Sequence, residues 1–145
     1  MMFKVYIASA LENAENVRLL RDLLRERGVE LTYDWTVHGS VKDQGSARIR
    51  EVARKKVEGV LGADLVVVLL PGGRGTHIEL GIAIAAACGN YPMKIVICGQ
   101  QADASGREPC FYELADLRWP WANPRRVFEA LKENDLLPTP DARPM

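Results

Sequence analysis

Asp64-Leu-Val-Val-Val-Leu-Leu-Pro-Gly-Gly-Arg-Gly-Thr-His-Ile-Glu-Leu-Gly81 is the stretch of sequence that decides the fold. Its first part, residues 64–70, is a continuous apolar run between turn residues, which is typical of a parallel strand buried on both faces. Three glycines within residues 72–75 then predict a tight loop. The alanine-rich segment after the loop predicts a helix over 76–88, so the stretch is a strand–loop–helix unit.

Strands and helices alternate in both directions from this unit. Apolar or alternating runs predict further strands at 3–8, 29–34 and 93–98, and a short fifth strand at 117–119. Further helices are predicted at 11–27, at 46–61, and from an Asn123-Pro124 cap to about residue 134.

This alternation implies a single-domain, doubly wound α/β fold of the flavodoxin or Rossmann-like kind. The expected parallel sheet has four to five strands, with helices on both faces. The domain is predicted to span residues 1–136, followed by a proline-rich C-terminal tail at 137–145.

Composition and charge limit the possible classes of function. The chain has 145 residues, of which 48% are hydrophobic and 26% are charged, so a folded domain is expected rather than a disordered chain. Nineteen Lys and Arg residues balance nineteen Asp and Glu residues, which gives no support for a nucleic-acid polymer or a membrane as partner. A net charge of zero favours self-association, so a homo-oligomer, a dimer or higher, is expected.

The three cysteines, Cys88, Cys98 and Cys110, lack the spacing of a zinc site. Reduced and mostly buried thiols are expected, which favours a cytoplasmic protein. The first apolar run is too short for a signal peptide, and no run reaches the ~18 residues of a membrane span.

Ligands of doubly wound sheets bind at the carboxyl ends of the strands, so the loops after the first and third strands are the predicted binding site. The loop after the third strand matches neither a Walker A motif nor a dinucleotide-binding motif. Arg74 in this loop can hold a phosphate or a carboxylate, or can be solvated. The predicted substrate-binding residues of the two loops are Ala8, Ser9, Gly72, Gly73, Arg74 and Gly75.

Glu79 has two interpretations. The dipole of the helix that begins near Thr76 is expected to keep it ionised, so that it can act as a nucleophile or stabilise a cationic sugar. Thr76-His-Ile-Glu79 also fits a capping box, in which Glu79 only accepts a bond from the Thr76 amide. With a strand order of 2-1-3-4-5, Tyr6 can reach Glu79 and orient it; otherwise Tyr6 is an ordinary strand aromatic.

The loop after the second strand supplies two more candidate ligand contacts. Trp35 can stack on a base or a sugar, and His38 can donate a hydrogen bond to it. The alternative is a rim aromatic beside a solvated histidine. His77 is expected at the surface of the first turn of its helix.

Three segments together resemble the nucleoside 2-deoxyribosyltransferase family, which includes the 2′-deoxynucleoside 5′-monophosphate N-glycosidases. They are Lys4-Val-Tyr-Ile-Ala8, Ala63-Asp64 before the apolar strand, and Gly75-x-x-x-Glu79-Leu-Gly81-x-Ala83. The resemblance implies that Glu79 attacks the anomeric carbon of a nucleoside or nucleotide while Tyr6 holds Glu79 in place, and that a second base or water then takes the sugar. It implies no metal or organic cofactor, and a site completed by a neighbouring subunit.

The chain departs from the family pattern in three ways. Lys56 stands where the family has an acidic residue on the helix before the third strand, and Gly73 stands where it has aspartate or serine. Ala10 and Glu12 replace a serine and an arginine that hold phosphate in the hydrolases, which speaks against a 5′-phosphate, whereas Arg74 speaks for an anion. Three alternatives remain: a nucleoside enzyme, a nucleotide N-glycosidase, and a non-catalytic nucleotide- or sugar-binding protein, which Lys56 favours.

Overall fold

A five-stranded parallel sheet forms the centre of the protein. The computed structural model describes residues 2–140. The strands are β1 (Lys4–Ala8), β2 (Glu30–Leu31), β3 (Leu65–Leu69), β4 (Lys94–Cys98) and β5 (Leu117–Trp119). Their order is β2-β1-β3-β4-β5, and every neighbouring pair is parallel. The predicted order is therefore confirmed, and the order of strands reverses between β1 and β3.

Helices cover both faces of this sheet. They are α1 (Ala14–Glu26), α2 (Ser46–Leu61), α3 (Arg74–Cys88) and α4 (Pro124–Glu133). Contacts join α1 to α4 and α2 to α3, as expected for two helical layers on a doubly wound sheet. Short 3₁₀ turns occur at Leu11–Asn13, Trp35–Val37 and Cys110–Leu114. The predicted α/β fold is confirmed.

The burial of the strands follows their position in the sheet. All five residues of β3 are buried, and β1 and β4 each bury four of five. Asp64 accepts a hydrogen bond of 2.9 Å from the Lys4 amide, which ties the first ends of β1 and β3 together. The opposite, carboxyl ends of these strands are left to the loops that form the candidate site.

The second strand is shorter than predicted, and its backbone bonding to β1 ends with the Thr32 amide, which donates to the Val5 carbonyl at 2.9 Å. The Asp34 carboxylate accepts the Thr36 amide at 3.0 Å and so begins the turn Trp35–Val37. The helix after β3 begins at Arg74, two residues earlier than predicted. The earlier start of α3 makes Glu79 the sixth residue of that helix.

The apolar side of α2 and α3 is only partly covered. Val52 and Val60 of α2 are buried, but Ile49 and Val57 are 40% and 39% exposed. On the adjacent α3, Ile78 is 64% exposed. An apolar face therefore remains on these two helices in a single chain.

The thiols are less buried than expected. Cys98 ends β4 and is buried, but Cys88, the last residue of α3, and Cys110, at a turn, are exposed. The expectation of mostly buried thiols is wrong, because helix ends and turns lie at the surface. Of the tail, residues 141–145 lie outside the described residues, and Leu137 is buried. None of the helices in the described part of the chain combines the length and hydrophobicity needed to cross a bilayer.

Candidate active site

A cavity of 490 Å³ lies where the loops after β1 and β3 meet, and we call it the Glu79 cavity. This is the point at which the strand order reverses, the usual binding position in such sheets. The cavity is lined by Ser9, Ala10, Leu11, Glu12, Trp35, Lys42, Lys56, Gly73, Arg74, Gly75, Thr76 and Glu79. Five of the eight predicted substrate-binding residues therefore line the same cavity as Glu79: Ser9, Trp35, Gly73, Arg74 and Gly75.

Glu79 is held by a tyrosine from a distant part of the sequence. It is the sixth residue of α3 and is 6% exposed. The Tyr6 hydroxyl, on the central part of β1, donates a 2.8 Å hydrogen bond to Oε2 of Glu79. Tyr6 is itself fully buried, and burial raises the pKa of its hydroxyl, so Tyr6 stays neutral and remains a donor. The predicted approach of Tyr6 to Glu79 is confirmed.

The second carboxylate oxygen of Glu79 faces the cavity. No hydrogen bond from residues 2–140 reaches Oε1. Yet in this part of the chain no side-chain oxygen is both buried and unbonded. Oε1 is therefore open to the cavity, while Oε2 is fixed by Tyr6. A carboxylate arranged in this way can present one oxygen to a ligand without losing its orientation.

The charge of Glu79 is controlled by burial rather than by the start of the helix. Burial raises the pKa of its carboxyl above the usual value, whereas the Tyr6 hydrogen bond and the charge of Lys56 act in the opposite direction. The expectation that the helix dipole keeps Glu79 ionised is wrong, because it assumed that Glu79 lies in the first turn of the helix. Because α3 begins at Arg74, Glu79 lies beyond the first turn, where the dipole effect has decayed.

The capping interpretation of Glu79 is also wrong. The hydroxyl of Thr76 accepts a 3.1 Å hydrogen bond from the amide of Gly73, the residue before α3. Thr76 thus caps the helix by bonding backwards, and Glu79 takes no part. A Cβ on Gly72 would lie 2.6 Å from the Thr76 methyl group, so this capped loop needs glycine there.

Trp35 forms part of the cavity wall but is nearly buried. Its indole N–H donates a 2.8 Å hydrogen bond to the Ile7 carbonyl, and the residue is 3% exposed. The ammonium of Lys56 lies 6.0 Å from the centre of a Trp35 ring. This distance is at the outer limit of a cation–π contact, so the ring lies beneath Lys56.

Three cations line the cavity without a carboxylate partner. Lys42, Lys56 and Arg74 form no ion pair within residues 2–140. They come from the loop before α2, from α2 and from the first residue of α3. Glu12 opposes them from the turn after β1. Unpaired basic groups around one cavity favour an anionic ligand.

Ser9 lines the cavity and is held by two hydrogen bonds. Its hydroxyl donates a 2.6 Å hydrogen bond to the Leu69 carbonyl and accepts one of 2.9 Å from Asn13. These bonds link the loop after β1 to the end of β3. Ser9 therefore joins the two loops that form the site.

Three predicted ligand contacts do not line the cavity. Ala8 is fully buried within β1. His38 accepts the Tyr33 hydroxyl at 2.6 Å through Nε2 and donates to the Gly39 carbonyl at 2.7 Å through Nδ1, so both ring nitrogens are occupied. The N–H and C=O groups of Gly72 bond the side-chain amide of Gln101 at 2.7 Å and 2.9 Å. Ala8, His38 and Gly72 therefore contact other parts of the protein rather than the cavity.

A second cavity, of 390 Å³, flanks the start of α3, and we call it the His77 cavity. It is lined by His77, Gln101, Ala102, Asp103, Arg107, Glu108, Pro109 and Tyr112. His77 lies in the first turn of α3, as expected, and is half-buried: Nδ1 donates to the Gly73 carbonyl at 2.8 Å, and Nε2 accepts the Tyr112 hydroxyl at 2.7 Å. The two rings are also stacked, with centroids 5.8 Å apart.

Lys42 is a charged cavity residue that the sequence analysis did not name. It belongs to the loop between β2 and α2, at the carboxyl end of a parallel strand. The rule that placed the site after the first and third strands applies equally to this strand. This rule makes the loop a candidate, although a charge in a loop does not by itself distinguish a cavity residue from a solvated one. Lys56 was noticed as a departure from the family, but not as a cavity residue.

Known proteins give no direct identification of the site. Neither a protein-family model nor a curated protein matches this chain. In addition, residues 2–140 hold no group of three or more His, Cys, Asp or Glu side chains that could bind a metal ion. The geometry of the Glu79 cavity and the motif around Glu79 are the features that bear on function.

Proposed function

We propose that this protein is an enzyme that cleaves or transfers at the N-glycosidic bond of a nucleoside, with Glu79 as nucleophile. The observation that carries the proposal is the carboxylate of Glu79, with one oxygen fixed by Tyr6 and the other open to the cavity. The resemblance of the Gly75–Ala83 motif to the nucleoside 2-deoxyribosyltransferase family supports the same chemistry. The cavity volume of 490 Å³ falls in the range of small-molecule sites.

The reaction has two steps. In the first, Oε1 of Glu79 forms a bond to the anomeric carbon as the bond from that carbon to the base breaks. The electron pair goes to the base nitrogen, which takes a proton from solvent. In the second, a free base or water attacks the same carbon and gives up a proton to solvent, while the bond from that carbon to Oε1 breaks and its electron pair returns to Glu79. Tyr6 keeps the carboxylate oriented through both steps.

A nucleotide is the second candidate substrate, and the unpaired cations favour it. Arg74 and Lys42 line the cavity without an ion-pair partner in the described chain, and α3 begins at Arg74. Basic side chains and the first amides of a helix together suit a phosphate. Under this alternative the protein is a nucleoside 5′-monophosphate N-glycosidase. A third candidate, of a different class, is a binding protein that holds such a ligand without turnover.

One experiment separates the three. The purified protein is incubated with 2′-deoxynucleosides and then with their 5′-monophosphates, each with and without a free acceptor base. Released and exchanged bases are quantified by chromatography. Base exchange on nucleosides supports the transferase, and base release from monophosphates alone supports the nucleotide hydrolase. Saturable binding by calorimetry with no product supports the binding protein and contradicts the enzyme.

We also propose that the protein forms a homo-oligomer through α2 and α3. The exposed apolar side chains Ile49, Val57 and Ile78 lie on these two adjacent helices. Around them α2 carries Arg50 and Glu51, together with Arg54 and Glu58. Because both charge signs occur along one helix, a second copy in antiparallel orientation pairs unlike charges. A copy of this chain therefore suits the face better than a partner with one sign of charge.

Light scattering tests this assembly. The wild type is expected to have a mass of at least twice 16.1 kDa, and Val57→Asp is expected to lower that mass towards the monomer. Gln100→Asp adds the same charge at an exposed position of the loop after β4 and serves as the control. A monomer mass for the wild type over a wide range of concentration contradicts the assembly.

A further inference from the structure

Lys56 lines the Glu79 cavity from α2. It lies three residues before Gly59 on α2, and residues at this spacing share one side of a helix. A Cβ on Gly59 would lie 3.1 Å from Cδ1 of Tyr6, the residue that holds Glu79. Lys56 therefore projects from the part of α2 that packs against the Tyr6–Glu79 pair.

The position of the Lys56 ammonium is restricted by Trp35. The ammonium lies 6.0 Å from the centre of a Trp35 ring, and the indole is fixed by its hydrogen bond to the Ile7 carbonyl. Ile7 follows Tyr6 in β1. The same strand thus bonds Trp35, whose ring lies near Lys56, and carries Tyr6, which bonds Glu79.

The charged and titratable groups around Glu79 differ in their effects. Tyr6 faces it from β1, Lys56 from α2, Lys42 from the preceding loop and Arg74 from the start of α3, with Glu12 across the cavity. Burial raises the pKa of Glu79, and the Tyr6 hydrogen bond and Lys56 lower it. Lys56 is also the cation that comes from the helix packed against Tyr6, whereas Lys42 belongs to a loop and Arg74 to the start of α3.

We propose that Lys56 is a positioning residue that keeps the Glu79 carboxylate ionised from its place on the Trp35 ring. Lys56 has no carboxylate partner of its own within residues 2–140, so its charge is available to Glu79. A buried carboxyl without this charge takes up a proton more readily and is then no nucleophile. The functional consequence depends on the proposed function, but the charge effect itself does not.

The charge effect is tested without any substrate. The protein is labelled with glutamate enriched in ¹³C at the side-chain carboxyl, and the Glu79 signal, assigned by its loss in Glu79→Gln, is followed against pH. Lys56→Met is expected to move the titration midpoint of Glu79 to higher pH, and Lys56→Arg is expected to leave it near the wild-type value. Lys42→Met, which removes a charge from the same cavity, is expected to move it less than Lys56→Met does.

Two results would overturn the proposal. The first is a Glu79 midpoint that is unchanged in both Lys56→Met and Lys56→Gln, when the thermal melts of these variants show that they are folded. The second is an equal rise in Lys42→Met, which would assign the effect to the total charge of the cavity.

Turnover gives a separate reading. If the wild type turns over a nucleoside or nucleotide, the acidic limb of its pH profile for kcat/KM is expected to move to higher pH in Lys56→Met. If no substrate is turned over, the proposed function fails, while the titration still decides the role of Lys56.

Discussion

The two cavities that flank the start of α3 differ in how their polar side chains are bonded. In the His77 cavity, His77, Tyr112 and Gln101 bond other protein groups, and one lining cation, Arg107, has no ion-pair partner within residues 2–140. In the Glu79 cavity, Lys42, Lys56 and Arg74 have no ion-pair partner within residues 2–140, and one oxygen of Glu79 is open. Polar groups that bond each other stabilise the fold, whereas groups left open are available to a ligand. The three unpaired cations around an open carboxylate oxygen, rather than the volume, distinguish the Glu79 cavity from the His77 cavity.

The largest effect is expected from Glu79→Gln. The amide keeps an acceptor for Tyr6 but is no nucleophile, so turnover is expected to fall at least about a thousandfold. When the wild type is mixed with its nucleoside or nucleotide substrate and quenched with acid, intact-protein mass spectrometry is expected to show a sugar bound to the protein. The same mixture with the variant is expected to lack this adduct. A variant with wild-type turnover would remove the distinction between the two cavities.

The same variant has an expected sign for stability. Because burial raises the pKa of Glu79 in the folded state, the wild type gains stability at low pH and loses it as pH rises through that pKa. Gln does not titrate. Glu79→Gln is therefore expected to be at least as stable as the wild type at neutral pH, by urea unfolding, and this advantage is expected to shrink on acidification. A growing advantage at low pH would contradict the stated direction of the pKa.

Tyr6→Phe is expected to have the next largest effect. The substitution removes a hydrogen bond to a charged group, worth about 1.5–3 kcal/mol, or roughly 10- to 150-fold in rate. The pKa of Glu79 is expected to rise further, because the lost bond favours the carboxylate. The acidic limb of kcat/KM then moves to higher pH.

Tyr33→Phe is the matched control for Tyr6→Phe. The Tyr33 hydroxyl also forms a hydrogen bond, but its partner is His38, outside the cavity. This control is expected to leave the pH profile in place. A shift of equal size in both variants would assign the effect to general loosening of the fold.

Gly59→Ala tests how closely α2 must approach Tyr6. An added Cβ would lie 3.0 Å from Cβ of Tyr33 and 3.1 Å from Cδ1 of Tyr6. The crowding is expected to cost about 1–3 kcal/mol of the free energy of unfolding and to lower turnover by displacing Tyr6. Gly81→Ala places the same methyl group on α3 with no atom within 4 Å, and is expected to be neutral or stabilising.

The smallest effect is expected from Tyr112→Phe in the His77 cavity. It removes the bond from the hydroxyl to Nε2 of His77 and is expected to cost about 0.5–1.5 kcal/mol of the free energy of unfolding. Turnover is expected to stay at the wild-type level. Loss of turnover beyond what thermal unfolding explains would make this cavity part of the functional site.

Local sequence signals predicted most elements because each depends on residues close together in the chain. The predicted limits of α2 and β5 agree with the structure, and Asn123 caps α4 as expected. The start of α3 was predicted two residues late, because glycines at 73 and 75 resemble loop residues. A side-chain bond from Thr76 back to Gly73 allows the helix to begin among them.

Site residues were harder to predict than elements. The motif indicated Glu79 and the strand order indicated Tyr6, but His38 and Gly72 carry no local signal that Tyr33 and Gln101 occupy their polar groups. Lys42 carries a charge in a loop, which alone does not distinguish a cavity residue from a solvated one.

Hydrophobic periodicity, turn residues and caps act over a few positions, so the sequence by itself determined the kinds of elements, their order and the doubly wound architecture. The state of each polar group was decided only by the tertiary structure. Tyr6 and Glu79 are separated by 73 positions, and Gly72 and Gln101 by 29. The physical reason is that a hydrogen bond or a desolvated charge depends on which groups lie close together in space. For residues far apart in sequence, these distances are set only when the sheet and its helices pack.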